Sequence, residues 1–156
     1  MKKIFTIILS LILSIFSYAL DAYVEKVSDG DSFVVKANGK KMRVRMYGID
    51  APELKQKHGA ESKKYLESLI LKKTVELKVL YEDKYKRKVA RVYSNNKEIN
   101  LEMLRSGNAW FYEYHAGKEK SYRKAYEEAK KEKRGLWKDK NPENPRDYRL
   151  KNKREE

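Results

Sequence analysis

From residue 23 to residue 93 apolar and polar side chains alternate in short runs, and a two-residue period belongs to strands with one buried face. Residues 23–27 form the first run. Ser28-Asp29-Gly30-Asp31 turns the chain into the second, residues 32–37, through Phe33, Val34 and Val35. Asn38-Gly39 is a strong hairpin signal. It leads into residues 41–47, with Met42, Val44 and Met46 on one face and Arg43, Arg45 and Tyr47 on the other. Residues 74–80 carry Val75, Leu77 and Val79 inward, and residues 89–93 return after a charged loop. Between the third and fourth runs the period lengthens. Tyr65, Leu66, Leu69 and Ile70 make the buried stripe of a helix over residues 59–71. Asn100 is placed to cap a short helix that carries Leu101 and Leu104 and stops near Gly107. Tyr122, Ala125, Tyr126 and Ala129 mark a last long helix over residues 118–134, ended by Gly135, with Leu136 and Trp137 docking on the core.

Three strands, a helix, two strands and then helices predict an α+β chain: a five-stranded Greek-key barrel of the OB type with about three packed α-helices. Barrels of this type bind oligonucleotides across strands 2–3 and the loops joining strands 1–2 and 4–5. The ends read differently. Met1-Lys2-Lys3, an apolar run over residues 4–16 and Ser17-Tyr18-Ala19 predict a secretory signal peptide over residues 1–19. The product is then exported, either secreted or kept in the periplasm or cell envelope. The domain proper is expected over residues 20–137, and residues 138–156 as a charged tail, extended or partly disordered. A chain of 156 residues has room for one domain with a real core.

Charge narrows the partners. The chain has 37 Lys and Arg against 23 Asp and Glu, a net charge of +14. Removing residues 1–19 takes away only Lys2 and Lys3 among the charged residues and leaves +12. Such an excess points to a polyanion, and it favours nucleic acid over an anionic membrane surface or a charged cell wall. The absence of cysteine excludes disulfides, thiolate catalysis and cysteine zinc sites. His58 and His115 stand alone, without ligand spacing.

The barrel order gathers chemistry on one face: Asp31 in the first turn, Arg45 on the third strand, Asp50 and Glu53 just beyond it, and Arg87 in the loop between the fourth and fifth strands. Two carboxylates about 5 Å apart repel by roughly 3 kcal/mol at an effective dielectric near 20. Gathering Asp31, Asp50 and Glu53 therefore calls for a cation. Hard divalent ions take carboxylate, carbonyl and water oxygens, so Ca²⁺ fits, with Mg²⁺ or Mn²⁺ as alternatives, and a backbone carbonyl near Ala51 adds a ligand. Arginine presents a planar fork that matches two phosphate oxygens. Arg45 and Arg87 beside a metal can stabilise charge on a pentacoordinate phosphorus, and a water near Glu53 can attack in line.

Asp29-Gly30-Asp31-Ser32, Arg45 with Ile49-Asp50-Ala51-Pro52-Glu53, and Asp83-Lys84-Tyr85-Lys86-Arg87 resemble the signature blocks of the staphylococcal-type thermonuclease, or micrococcal nuclease-like, family. The resemblance runs over residues 22–137 and includes Asn100, Gly107 and Gly135-Leu136-Trp137. It implies a Ca²⁺-dependent nuclease that hydrolyses DNA and RNA with little sequence preference and leaves 3′-phosphate ends. No stable protein partner is implied, and a monomer is expected. By the same resemblance Asp31, Asp50 and the Ala51 carbonyl hold the metal, and Glu53 is the general base or orients the water. Arg45 grips the scissile phosphate, and Arg87 stabilises the transition state. Lys84 and Tyr85 meet a neighbouring phosphate, and Tyr112 or Tyr114 lines the nucleotide pocket.

The chain departs from the family pattern at Ser32 and Ala51, where Thr is familiar, and at Lys86, where Gly is usual. If position 86 needs a positive φ, Lys is strained there and the placement of Arg87 is affected. The alternative reading is a non-catalytic OB module that binds nucleic acid without cutting it. Such a module gains nothing from carboxylates inside its phosphate-binding face.

Overall fold

A computed structural model describes residues 18–153. The predicted signal peptide, apart from Tyr18 and Ala19, lies outside the described residues. The strands are β1 (Tyr18–Val27), β2 (Ser32–Ala37), β3 (Lys40–Met46), β4 (Ile49–Asp50), β5 (Thr74–Glu82), β6 (Lys88–Ser94), β7 (Lys97–Glu98) and β8 (Trp110–Phe111). The helices are α1 (Gly59–Ile70), α2 (Ile99–Arg105), α3 (Glu113–Ala116), α4 (Lys120–Lys131) and α5 (Pro145–Asn152), with a 3-10 turn over Gly135–Lys138. The sheet runs β3-β2-β1-β5-β6, and β3 also pairs in parallel with β6 through Val44 with Lys88, Arg45 with Val89 and Met46 with Ala90. That second pairing closes the OB-type barrel.

Alternation filled the barrel as the pattern predicts. Val75, Leu77 and Val79 of β5 and Val44 and Met46 of β3 are buried with Val24, Phe33 and Val35. Asn38 and Gly39 both take positive φ, 49° and 74°, as a type I′ hairpin turn requires. β1 starts at Tyr18 rather than at residue 23, because its first half pairs with β5, from Tyr18 against Val79 to Tyr23 against Thr74. Its second half pairs with β2, with a register shift between Val24 and Lys26. A bulge of this kind bends a strand and lets it serve two neighbours. The predicted cleavage after Ala19 falls inside this strand.

Three further expectations need correction. Asn100 does not cap α2. The helix begins at Ile99 after Glu98, and Asn100 is wholly buried inside it. Its side-chain oxygen accepts from the Val92 N–H at 2.9 Å, and its amide donates to the carbonyls of Tyr47 at 2.9 Å and Ala90 at 3.2 Å. The local pattern of a cap residue ahead of an apolar run is overridden by three backbone partners on β6 and at the end of β3. The tail, likewise, is folded. The Asn144 side chain accepts from the Arg146 N–H at 2.9 Å, Pro145 is buried in the first turn, and α5 follows. Asn at the cap, Pro in the first turn, Asp147 near the start and Arg149 and Lys151 near the end all favour a helix. The long helix expected over residues 118–134 is shorter, Lys120–Lys131, and α3 precedes it. Leu136 and Trp137 dock as expected, with Trp137 at 4.6 Å from Trp110 and 5.3 Å from Tyr126 between ring centroids.

Gly48 turns the chain from β3 into β4. Its φ is +73°, and an added Cβ would lie 2.8 Å from both Ala116 Cβ and the Tyr122 ring. Only glycine fits, and this turn sets Asp50 beside the end of β3.

Candidate active site

Asp31 is fixed before any ligand is considered. Its N–H donates to Asp29 Oδ1 at 3.0 Å, its carbonyl accepts from the Met46 N–H at 2.8 Å, and its own Oδ2 accepts from the Ala51 N–H at 2.6 Å. Ser32 Oγ donates to its Oδ1 at 3.0 Å. Gly30 makes the close approach possible, since a Cβ there would lie 1.9 Å from Ser62 Oγ on α1. The Asp29-Gly30-Asp31 turn is thus wedged between α1 and the Asp50–Ala51 turn. Asp50 comes from β4, whose pairing with β8 sets it opposite Trp110.

Arg45 bridges the two buried carboxylates, with Nη1 at 2.9 Å from Asp31 Oδ2 and Nη2 at 3.2 Å from Asp50 Oδ1. A second guanidinium arrives from α5. Arg149 Nη2 lies 2.9 Å from Asp50 Oδ2, and its Nη1 lies 3.1 Å from Asp50 Oδ1 and 2.8 Å from Glu53 Oε1. Glu53 sits on the turn after Pro52, which is held by its N–H on Gln56 Oε1 at 3.1 Å and its carbonyl on the Gln56 N–H at 2.8 Å. Among the described residues no three acidic or imidazole side chains converge into a ready-made metal nest. The three expected carboxylates instead form a chain, Asp31 to Asp50 through Arg45 and Asp50 to Glu53 through Arg149.

Burial pushes the Asp31 carboxyl up to about 6, against the pull of Arg45, and Asp29 adds to the rise. Burial also raises Asp50, while hydrogen bonding from Arg149 opposes the rise. Arg149 is partly buried, which alone would lower it, yet hydrogen bonds to Asp50 and Glu53 raise it overall. For Asp31 the folded chain binds its proton more tightly than the unfolded chain does. Its contribution to stability therefore falls as pH rises from 3.8 to about 6. Two desolvated carboxylates side by side, bridged by a cationic group, fit a hard divalent cation. Asp31 and Asp50 would supply the charge and the Ala51 carbonyl a further oxygen.

Arg87 finds its ionic partner outside this group. Its Nε pairs with Asp83 Oδ2 at 2.8 Å, its N–H donates to Asp83 Oδ1 at 3.0 Å, and its guanidinium lies 5.4 Å from the Tyr85 ring centre. The Lys84 ammonium lies 5.1 Å from the same ring, and Arg43 donates to the Tyr85 carbonyl. Tyr112 and Tyr114 come together with His115, at 5.1 and 5.0 Å between ring centroids, and Tyr81 lies 6.3 Å from His115. Tyr114 is 86% exposed. The sequence-derived residues thus fall into a guanidinium–carboxylate centre, a loop carrying Lys84, Tyr85 and Arg87, and an aromatic cluster. Sequence reasoning missed Arg149. Its one signal was the Asn144-Pro145 helix start.

Lys86 has a φ of 61°. The turn does need the left-handed region, which costs a side-chain-bearing residue about 1–2 kcal/mol. Glycine removes that cost but loses about 0.5–1 kcal/mol to chain entropy. Lys86→Gly is expected to raise the thermal midpoint slightly, by no more than about 1 kcal/mol of stability. A melting curve that falls instead would show that the turn holds Lys without strain.

The staphylococcal nuclease homologue family model matches residues 43–139. The chain belongs to that family. An uncharacterized endonuclease of Haemophilus influenzae is 40% identical over 131 residues, covering 83% of this chain and 73% of its own length. An uncharacterized endonuclease of Escherichia coli O157:H7 is 36% identical over 141 residues, covering 86% and 92%. The Arabidopsis thaliana staphylococcal-like nuclease CAN1 is 39% identical over 115 residues, 74% of this chain but 35% of its own length. In this staphylococcal nuclease homologue the matched span holds Arg45, Asp50, Glu53 and Arg87. It ends before α5.

Proposed function

We propose that this chain is an endonuclease that hydrolyses phosphodiester bonds of DNA and RNA with little sequence preference, with a divalent cation, Ca²⁺ first, and leaves 3′-phosphate ends. The observation that carries the reading is the buried Asp31–Asp50 pair, bridged by Arg45 and flanked by Glu53. A binding surface for a polyanion has no use for two desolvated carboxylates at its centre, whereas phosphodiester hydrolysis does. The endonuclease names of its relatives support the same reading.

Asp31, Asp50 and the Ala51 carbonyl would hold the cation, which supplies Lewis acidity toward a phosphoryl oxygen and lowers the pKa of a bound water. Arg45, on the barrel wall, orients the scissile phosphate through its fork. Glu53 is more open than Asp50, its side chain 36% exposed, and takes a proton from the attacking water. Arg87 leaves Asp83 for the phosphate and offsets the charge that grows in the transition state. Lys84 and Tyr85 seat a neighbouring phosphate, and the Tyr112–Tyr114 cluster takes a base by stacking. The N-terminal apolar segment supports export, to the medium or the cell envelope, and the protein acts as a monomer.

The test is digestion of single-stranded DNA by protein beginning at Tyr18, in EDTA and in Ca²⁺, Mg²⁺ or Mn²⁺. Calcium-dependent cleavage with 3′-phosphate products is the expected result. Tight, salt-sensitive binding with no cleavage in any metal would replace the reading with a binding module.

A further inference from the structure

α5 lies beyond the residues that define the family match, yet it reaches the centre of the site. The segment before it is pinned to the turn that carries Glu53. Gln56 Nε2 donates to the Glu143 carbonyl at 2.6 Å, and Lys57 pairs with Asp139 at 2.6 Å. Asn144 then caps the helix, and Pro145 is its one buried residue. From this anchor Arg149 spreads its fork over both oxygens of Asp50 and Oε1 of Glu53. Arg45 also meets Asp50 Oδ1 and Asp31 Oδ2, Ser32 donates to Asp31 Oδ1, and the Ala51 N–H donates to Asp31 Oδ2. No carboxylate oxygen of Asp31 or Asp50 is left without a donor.

We propose that α5 is an autoinhibitory strap, in which Arg149 ties up Asp50, which would hold the divalent cation, together with Glu53, which would take the proton of the attacking water. The inference rests on the metal-dependent reading of the same site. A guanidinium can hold the two carboxylates in place of a metal ion, but it offers no Lewis acid and engages both oxygens of Asp50. The strap is built to leave. The Arg149 side chain is 40% exposed, and Arg146, Asp147 and Leu150 face solvent. A swing about Asn144 frees Asp50 and Glu53 while Glu143 stays anchored on Gln56. Binding the cation then includes the work of opening. A strap closed nine-tenths of the time or more lowers apparent affinity about tenfold or more.

The experiment compares the full chain with Arg149→Ala and Arg149→Lys, without nucleic acid. Calcium affinity is measured by calorimetry, and amide exchange of α5 is followed by mass spectrometry with and without calcium. Arg149→Ala is expected to bind calcium about tenfold or more tighter. Arg149→Lys is expected to fall between, because one ammonium cannot span both carboxylates. In the unmodified protein calcium should speed exchange in α5 and leave β5 and β6 protected, a readout that needs no variant to fold. Equal or weaker calcium binding by Arg149→Ala would overturn the strap and leave the metal site standing. So would calcium binding to the unmodified protein with α5 exchange unchanged. Failure of Ca²⁺, Mg²⁺ and Mn²⁺ to bind either the unmodified protein or Arg149→Ala would overturn the metal reading itself, and the strap with it.

Discussion

Glu53→Gln and Arg87→Ala should each leave a folded protein with almost no nuclease activity. Removing a general base costs about 10²–10⁴-fold, and removing a preorganised cationic donor costs about 10²–10³-fold. Single-turnover cleavage of a short single-stranded DNA, with melting curves of each variant, measures both losses directly. Glutamine keeps the shape of Glu53 and can still accept from Arg149, so its effect isolates proton transfer. Arg87 has the opposite signature. It rests on Asp83 and stacks by Tyr85, and it would meet the phosphate mainly as charge develops. Its loss should lower kcat more than it raises KM. Lysine should rescue it poorly, since a point charge does not reproduce the fork. Full activity in either variant would remove that residue from the roles given to it.

The second large effect is on stability. Asn100→Ala strips the Val92 N–H and the Tyr47 carbonyl of their side-chain partner, while the Ala90 carbonyl keeps the Tyr47 N–H at 2.9 Å. Each buried group left unpaired costs about 1–3 kcal/mol. The variant should lose roughly 3–5 kcal/mol, or about 10 °C or more in thermal midpoint for a chain of this size. Asn100→Asp should be no better, because it restores the acceptor for Val92 but turns a carboxylate toward two carbonyls. A shift within a few degrees would mean that water replaces the amide and that the brace is dispensable.

Most of the barrel was legible because its cause is local. Alternation in residues 32–37, 41–47 and 74–80 fixes which face is buried, and Asn38-Gly39 fixes the hairpin. Asp31, Arg45 and Asp50 were legible as well, since each lies in a short block whose place on the barrel follows from strand order. Lys86 stood out as a misfit, and its positive φ bears that out. What stayed hidden depends on partners far along the chain. An Asn ahead of an apolar run reads as a cap, and only the packed barrel turns Asn100 into a brace. Arg149 is one base in a tail dense with charge. Its carboxylate partners lie in an early turn, and no spacing rule links them. The same density hid α5, because Lys57 with Asp139 and Gln56 with Glu143 hold its base only in three dimensions.

The parallel rungs that close the barrel, Val44 to Lys88 and Met46 to Ala90, flank Arg45 on one strand and follow directly on Arg87 from the other. Joining segments so distant in sequence carries a loop-closure entropy that the β2–β3 and β5–β6 hairpins do not. The hairpins are expected to form first and closure to follow, so Arg45 and Arg87 are expected to take their places late in folding. During synthesis β6 also leaves the ribosome after β3, since chains emerge N-terminus first. A half-made chain owns Asp31, Asp50 and Glu53 before the closed barrel that sets Arg45 and Arg87 exists.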